Sequence, residues 1–375
     1  HLINGEHYAG AERVQDLLAA RLPALGYEVA FACLKPGQFA ASRQTPSAPL
    51  YDAPMRSKFD RQPVRDVVRL LRDGGFDILH THNPRAALVG SAAARRAGVP
   101  WVHHLHSPTS RDTTRGWPDR INAIVERFLL RRAAAVITVS HSLADYARES
   151  GIKSDRIHVV HNGVACRGPL APRVVPDRDW TLGVVALFRP RKGLETLLDA
   201  LARLLVNGHH VRLTAVGGFE TPDYEAAIHS QVDRLGLAGV VDWRGFQRDV
   251  DRELAAMDLF VLPSLFGEGL PMVVLEAMAC GTPVVGTRVE GTPEAVRDGL
   301  DGVLAIPGDA DDLARSIERF LSGEIDWQRV RTSAHRRQAD QFSDQSMAAG
   351  VARVYETTLA ARDARTTAKA PVRMS

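Results

Sequence analysis

Cysteine is scarce in this chain. Cys33, Cys166 and Cys280 are the three in 375 residues, and they form no Cys-x-x-Cys pair and no metal-ligand spacing. That excludes a cysteine-built metal or redox motif and fits a reducing cytoplasm with buried or incidental thiols. An excess of one charge is missing too. Lys and Arg number 47 against 44 Asp and Glu, a formal net charge of +3. A protein built to coat nucleic acid carries a strong basic excess, so no nucleic-acid partner is expected. No apolar run approaches the roughly 20 residues that span a bilayer, and no secretory leader is visible. The chain opens at His1 rather than methionine, inside the stretch His1-Leu2-Ile3-Asn4, which reads as a strand. Whether N-terminal residues precede it stays open, so the missing leader decides nothing. Short tandem repeats are lacking.

What is present is ordinary globular composition, 45% hydrophobic and 24% charged, in a chain long enough for two domains. Short apolar runs alternate with amphipathic helical stretches. Strands are expected at 28–34, 77–80, 99–103, 135–139 and 157–160, with helices at 11–25, 61–73, 84–97, 118–132 and 142–149. The alternation lapses at 167–179, which holds three prolines and no apolar periodicity and reads as an interdomain linker. It restarts with strands at 181–187, 210–216, 240–243, 259–262, 283–286 and 302–305, and with helices that include 310–321 and 326–339. A last helix is expected at 343–361 and a polar, disordered tail at 362–375. The expected fold is α/β: two doubly wound, Rossmann-like parallel-sheet domains, 1–166 and 180–342, facing across a cleft. Ligands of such sheets sit beyond the carboxyl ends of strands. The loops of interest, 5–10, 80–84, 103–111, 189–193, 217–220 and 264–271, all follow strands.

Chemistry concentrates in Phe266-Gly267-Glu268-Gly269-Leu270-Pro271-Met272-Val273-Val274-Leu275-Glu276, where two carboxylates stand eight residues apart. Pro271 suits a first helical turn, where its missing N–H costs nothing. The amides of Met272, Val273 and Val274 then fall among the unpaired donors of a helix start, which is an anion site. Glu276 follows about one and a half turns further in, at ~1.5 Å rise per residue. Glu268 stays in the glycine-rich loop, where Gly267 and Gly269 allow close backbone approach. A helix start flanked by two acids suits a nucleotide-sugar, with a diphosphate in its middle and hydroxyls at both ends. Spacing alone leaves open a plain strand–loop–helix join with a solvated Glu268.

The segment resembles the Glu-x7-Glu signature of the retaining glycosyltransferases of GT-B fold, specifically glycosyltransferase family 4. Other stretches carry the likeness in order. Gly10-Ala11-Glu12-Arg13 is similar to the family's N-terminal loop and His158-Val159-Val160-His161-Asn162-Gly163-Val164 to its Asn-Gly turn. Arg189-Pro190-Arg191-Lys192-Gly193-Leu194 is similar to its Lys-Gly segment, and Leu259-Phe260-Val261-Leu262-Pro263-Ser264 to the strand entering the donor loop. Gly291-Thr292-Pro293-Glu294 and the run from Asp301-Gly302 to Asp309 match what usually follows. The resemblance covers about residues 4–322.

It implies transfer of a hexose from a UDP-, GDP- or ADP-sugar to an acceptor hydroxyl with retention, in bacterial cell-surface polysaccharide or glycolipid synthesis. No cofactor and no metal are expected. Catalytic roles fall to Lys192, Arg189, Glu268 and His106. Donor binding falls to Gly10, Lys192, Gly217, Glu268, Gly269, Leu270, Pro271, Met272, Val273 and Glu276, with Glu276 on the ribose. The family's arginine sits nearer Ala186 or Leu187 by spacing, so Arg189 is the nearest substitute and Arg191 the alternative. His80 and His82 match a His-x-His near the acceptor, and the last helix would cross back to the first domain.

The acceptor could be a glycan, a lipid-linked molecule or a small molecule, with the enzyme cytoplasmic or peripheral at the inner face of the cytoplasmic membrane. A helix at 118–132, with Arg120, Arg127, Arg131 and Arg132 beside an apolar face, offers one membrane-docking reading. A basic face turned to water is the preferred one. The histidines His80, His82, His103, His104 and His106 bring zinc to mind, but their spacing fits no standard zinc pattern. Asp309-Ala310-Asp311 spells Asp-x-Asp, but ahead of a helix it reads as a cap rather than a metal site. Two rivals stay open. A nucleotide-sugar epimerase of the same fold would release no nucleoside diphosphate when acceptor is added. A non-catalytic sugar-nucleotide-binding subunit would bind donor without turnover.

Overall fold

The computed structural model describes residues 1–57, 60–108 and 127–369. It divides into two units, one formed by residues 1–162 and 344 onward, the other by 163–343.

Among the described residues, the first unit holds seven strands: β1 (Leu2–Ile3), β2 (Phe31–Cys33), β3 (Leu50–Asp52), β4 (Leu79–Thr81), β5 (Trp101–Leu105), β6 (Ala135–Thr138) and β7 (Ile157–Val159). They lie side by side as β3-β2-β1-β4-β5-β6-β7, all parallel. Helices α1 (Gly10–Arg21), α2 (Gln38–Ser42), α3 (Gln62–Asp73), α4 (Pro84–Ala97) and α5 (His141–Glu149) connect or flank them. Every residue of β4, β5 and β6 is buried, as expected of a parallel sheet covered on both faces. Side-chain caps start two of these helices: Asn83 accepts from the Ala86 amide and Ser140 from the Leu143 amide.

The second unit repeats the plan. Its strands are β8 (Asp179–Val185), β9 (His210–Val216), β10 (Val241–Gly245), β11 (Leu259–Leu262), β12 (Val284–Thr287) and β13 (Gly302–Ala305), ordered β10-β9-β8-β11-β12-β13. All pairings are parallel. Its helices are α6 (Leu194–Val206), α7 (Pro222–Arg234), α8 (Val250–Ala256), α9 (Met272–Cys280), α10 (Thr292–Ala295), α11 (Ala310–Leu321) and α12 (Trp327–Gln341). The stripe Leu194, Leu197, Leu198, Leu201 and Leu204 on α6 is fully buried, at the i, i+3, i+4 spacing that a helix lays on a sheet. In both sheets the strand order reverses once, between β1 and β4 and between β8 and β11. Such a reversal parts the loops on its two sides and opens a crevice for a ligand.

Several expectations need correction. Residues 167–179 are no free linker: the division falls between Asn162 and Gly163, and the segment packs on the second unit. Arg173 pins it by pairing with Asp258 at 2.7 Å and donating to the Met257 carbonyl at 2.8 Å, while Arg331 donates to the Ala171 carbonyl at 2.8 Å. Side chains, not apolar periodicity, hold it. The tail is not disordered from 362 onward. Helix α13 (Asp344–Lys369) runs through it, and Arg362 reaches Asp77 at 3.1 Å. This last helix belongs to the first unit. There Arg21 pairs with Asp344 at 2.8 Å, and the Tyr27 hydroxyl donates to the Ala352 carbonyl at 3.3 Å. The short elements α2 and β3 were not expected. Of the proposed helix 118–132, residues 118–126 lie outside the described residues, as does 370–375 of the tail. Among the described residues, no helix is long and apolar enough to cross a membrane.

Candidate active site

The reversal between β8 and β11 sets two loops beside each other, 186–193 after β8 and 263–271 after β11. Pairing of β8 with β9 continues past the strand ends: the Phe188 amide donates to the Gly218 carbonyl at 2.8 Å and the Glu220 amide to the Phe188 carbonyl at 2.9 Å. Residues 190–192 then make one 3-10 turn, ended by Gly193 at φ 66°. A side chain is excluded there twice over. The φ is left-handed, and a Cβ would lie 2.1 Å from the Pro263 carbonyl oxygen. The close approach lets the Leu265 amide donate to the Arg191 carbonyl at 2.8 Å, tying the lysine turn to the loop after β11.

Charge gathers on one carboxylate. Glu268 is 6% exposed. Its Oε1 accepts from Lys192 Nζ and, at 2.6 Å, from Ser264 Oγ, and Arg191 Nη1 lies 3.9 Å away. Burial alone would raise this carboxyl. The cations Lys192 and Arg191 and the two hydrogen bonds outweigh it and hold the group below the usual carboxylate range. Burial in turn lowers Lys192, against the pull of Glu268. All these contacts fall on Oε1, and Oε2 makes no hydrogen bond among the described residues. Arg191 also donates to the carbonyls of Phe266 and Gly267, at 3.3 and 3.1 Å. Arg189 turns elsewhere, to Glu220 at 3.5 Å. The arginine beside Glu268 is thus Arg191, the alternative that the sequence left open beside Arg189.

Helix α9 starts one residue later than expected. Pro271 is its N-cap and offers no side-chain acceptor. The Val274 amide is taken by the Pro271 carbonyl at 3.1 Å, while the amides of Met272 and Val273 make no hydrogen bond among the described residues. Leu270, Pro271 and Met272 are buried around this end. A buried helix start without capping partners calls for an anion. Elsewhere in this unit Thr221, Asp249, Asp309 and Asp326 cap α7, α8, α11 and α12. The helices without a side-chain cap are α6, α9 and α10. All three begin on the same knot of chain: Gly193 abuts Pro263, and the Gly291 amide donates to the Glu268 carbonyl at 2.9 Å. Glu276 is 3% exposed within α9. Gly269 sits in the loop, and Gly217 ends β9, its amide donating to the Gly245 carbonyl at 2.8 Å. Asp309 serves as a cap, accepting from the Asp312 amide at 2.9 Å.

One residue escaped the sequence reading. Glu290 Oε2 accepts from the amides of Gly267 and Glu268, at 3.0 and 3.2 Å, and so clamps the loop. Its backbone stands at φ 31°, a conformation side chains rarely adopt. A sequence separation of 22 from Glu268 hides that contact from spacing arguments.

Gly10, His80, His82 and His106 belong to the first unit. Gly10 opens α1. The three histidines join His1, His104 and Tyr355 in a column of rings on one face of the sheet. His82 Nδ1 lies 3.1 Å from His106 Nε2, His82 Nε2 3.0 Å from His1 Nδ1, and His80 Nδ1 2.6 Å from the Tyr355 hydroxyl. Burial holds His106 down to about 4, and burial reinforced by neighbouring rings holds His80, His82 and His104 well below the ordinary histidine value. His103 faces the other side and meets Thr81 Oγ1 at 2.8 Å.

Comparison with known proteins fits this architecture. The model described as "Glycosyl transferases group 1" matches residues 171–337, and "Glycosyltransferase Family 4" matches residues 8–167. The MMP alpha-(1->4)-mannosyltransferase of Mycolicibacterium hassiacum is 30% identical over 305 residues, 77% of this chain and 72% of that protein. This chain belongs to glycosyltransferase family 4. The phosphatidyl-myo-inositol mannosyltransferase of Mycobacterium leprae is another relative, 31% identical over 304 residues, 78% of this chain and 76% of that one. Among solved structures, HepE of Anabaena in complex with UDP and glucose aligns with TM-score 0.82 over 95% of this family member and 99% of that chain, at 23% identity. The fold is therefore GT-B, and the chain is a glycosyltransferase.

Proposed function

We propose that the second unit binds a nucleoside-diphosphate-sugar, and that the enzyme transfers its hexose to an acceptor hydroxyl with retention at the anomeric carbon. The observation that carries this reading is the knot at Lys192 and Glu268. Two cations, an uncapped helix end and a polarised carboxylate meet at the strand-order reversal of one sheet.

In this reading Lys192, Arg191 and the Met272 and Val273 amides receive the departing diphosphate, the group on which negative charge develops. Preorganised donors there lower the barrier without a metal ion. Glu268, held ionised, accepts from sugar hydroxyls through Oε2. Glu276, one helical stretch further on, takes the ribose hydroxyls. Leu270 and Pro271 line the approach, and Gly217 and Gly269 keep side chains out of it. Gly10, His80, His82 and His106 serve the first unit's share of the reaction, next to the acceptor. That two relatives are named mannosyltransferases supports a hexose and a place in bacterial glycolipid or cell-surface polysaccharide synthesis. A lipid-linked acceptor would put the enzyme at the inner face of the cytoplasmic membrane.

A donor panel of UDP-, GDP- and ADP-hexoses, assayed by released nucleoside diphosphate with a lipid extract as acceptor, tests the reading. One donor should give acceptor-dependent release, and Lys192→Ala and Glu276→Ala should each lower kcat/KM by about 100- to 1,000-fold, the usual cost of a lost transition-state donor. Turnover near wild type in either variant contradicts the assignment. Donor binding without acceptor-dependent release favours the epimerase or a non-catalytic subunit.

A further inference from the structure

The imidazole column of the first unit has a chemistry of its own, independent of the donor reading. Side chains alternate along a strand, and neighbours in register point the same way. The pairing Thr81↔His103 therefore puts His82 beside His104 on one face, with His106 two residues on, and leaves His103 on the other face. We propose that His82, His104 and His106 bind one divalent transition-metal ion of the zinc class.

Four observations carry this. The first is distance. One ring nitrogen from each of the three lies within 4.8 Å of the others, and His82 Nδ1 and His106 Nε2 are 3.1 Å apart. Zn–N bonds of about 2.0–2.1 Å in a tetrahedron put neighbouring ligand nitrogens about 3.3 Å apart, close to that spacing, and the rings, 20–34° from parallel, turn on binding to aim their lone pairs at one point. The second is His104 itself. It is 0% exposed, and neither ring nitrogen has a hydrogen-bond partner among the described residues. A buried polar group left so is costly, and a metal bond answers it. The third is the orienting shell. The other nitrogen of His82 meets His1 Nδ1 at 3.0 Å, and His1 Nε2 meets the Tyr355 hydroxyl at 3.1 Å. Metal-bound histidines characteristically engage their second nitrogen in this way, which fixes the ring. The fourth is the donor set. Three imidazoles select zinc, copper, nickel or cobalt over magnesium or calcium. His106 is half-buried, which leaves room for an exchangeable fourth ligand such as water or a hydroxyl. The ligands come from the carboxyl ends of two adjacent parallel strands, His82 and His106 each one residue past β4 and β5, which is why no standard zinc spacing appears in the sequence.

The test uses the tag-free full chain, stripped with a chelator, dialysed, loaded with Zn²⁺ and desalted. Elemental analysis should find one zinc per chain. Co²⁺ in its place should give the visible bands of a four- or five-coordinate ion. His104→Leu should weaken apparent zinc affinity by at least about a hundredfold, more than outer-shell changes cost. His103→Asn, on the opposite face, should bind as wild type. If His104→Leu fails to fold by circular dichroism, His106→Ala, at a partly exposed position, carries the same expectation. No stoichiometric zinc in the wild-type chain, or undiminished binding in a folded His104→Leu or His106→Ala, overturns the proposal. Donor-dependent release of nucleoside diphosphate is read separately, so failure here leaves the donor assignment standing.

Discussion

Glu290 shows how a single side chain can govern a loop it is distant from in sequence. Holding a non-glycine residue at φ 31° costs on the order of 1–3 kcal/mol, and the two amides it receives from Gly267 and Glu268 offset that cost. Glu290→Ala removes the acceptor and should free Glu268 to drift. A displacement of about 1 Å costs up to about a hundredfold in rate, so we expect kcat to fall by roughly ten- to a hundredfold while Glu290→Gln, which keeps an acceptor oxygen, stays within a few-fold. Steady-state kinetics of the two variants checks this, and equal losses would contradict a positioning role. The loop that carries Glu268 and the helix start ahead of Glu276 were legible in the sequence because glycine and proline mark them. Glu290 was not, because its contact depends on a tertiary approach. The choice between Arg189 and Arg191 stayed open in the sequence because a 3-10 turn decides which guanidinium faces the loop and which faces Glu220.

At the scale of elements, β4 and β5 bury a face of imidazoles that remain neutral. The sign follows from where protons bind. Below the ordinary histidine value of 6.5 the unfolded chain takes up protons that the folded chain refuses until His106 titrates at about 4. Stability is therefore complete above about pH 6.5 and falls as pH drops from there towards 4. Melting temperatures of chelator-treated protein should decline through that window, and His104→Leu should flatten the decline. A flat profile in the wild type would refute buried neutral rings. The strands themselves were readable, since β9, β11 and β13 fall where the apolar runs put them. β3 was missed because Tyr51 and Asp52 are exposed on an edge strand, which leaves no apolar alternation to see. Helix α13 outran its expected end because Arg362 finds Asp77, a partner invisible in the local sequence.

At the scale of the molecule, the second unit is one unbroken stretch, 163–343, whereas the first is closed by α13 after the chain returns. Met347, Val351, Val354 and Tyr355 are at most 5% exposed on that helix. Burying each contributes about 1.5–3 kcal/mol, together comparable to the whole stability of a domain, about 5–15 kcal/mol. Deleting 344–375 should therefore unfold the first unit, while 163–343 expressed alone should melt cooperatively. Calorimetry on both fragments checks this. The two-domain plan was readable from the strand–helix alternation, but the boundary was not, because 167–179 looks like a linker and is fastened by arginines. The central claim, that the lysine turn and the α9 helix end hold a diphosphate, is tested most directly by titration calorimetry. Each nucleoside diphosphate and its parent nucleoside would be titrated into the full wild-type chain and into Lys192→Ala. We predict that one diphosphate binds the wild type far more tightly than its nucleoside and that Lys192→Ala removes most of that difference while leaving nucleoside binding unchanged. Equal diphosphate affinity in the two proteins would contradict the account.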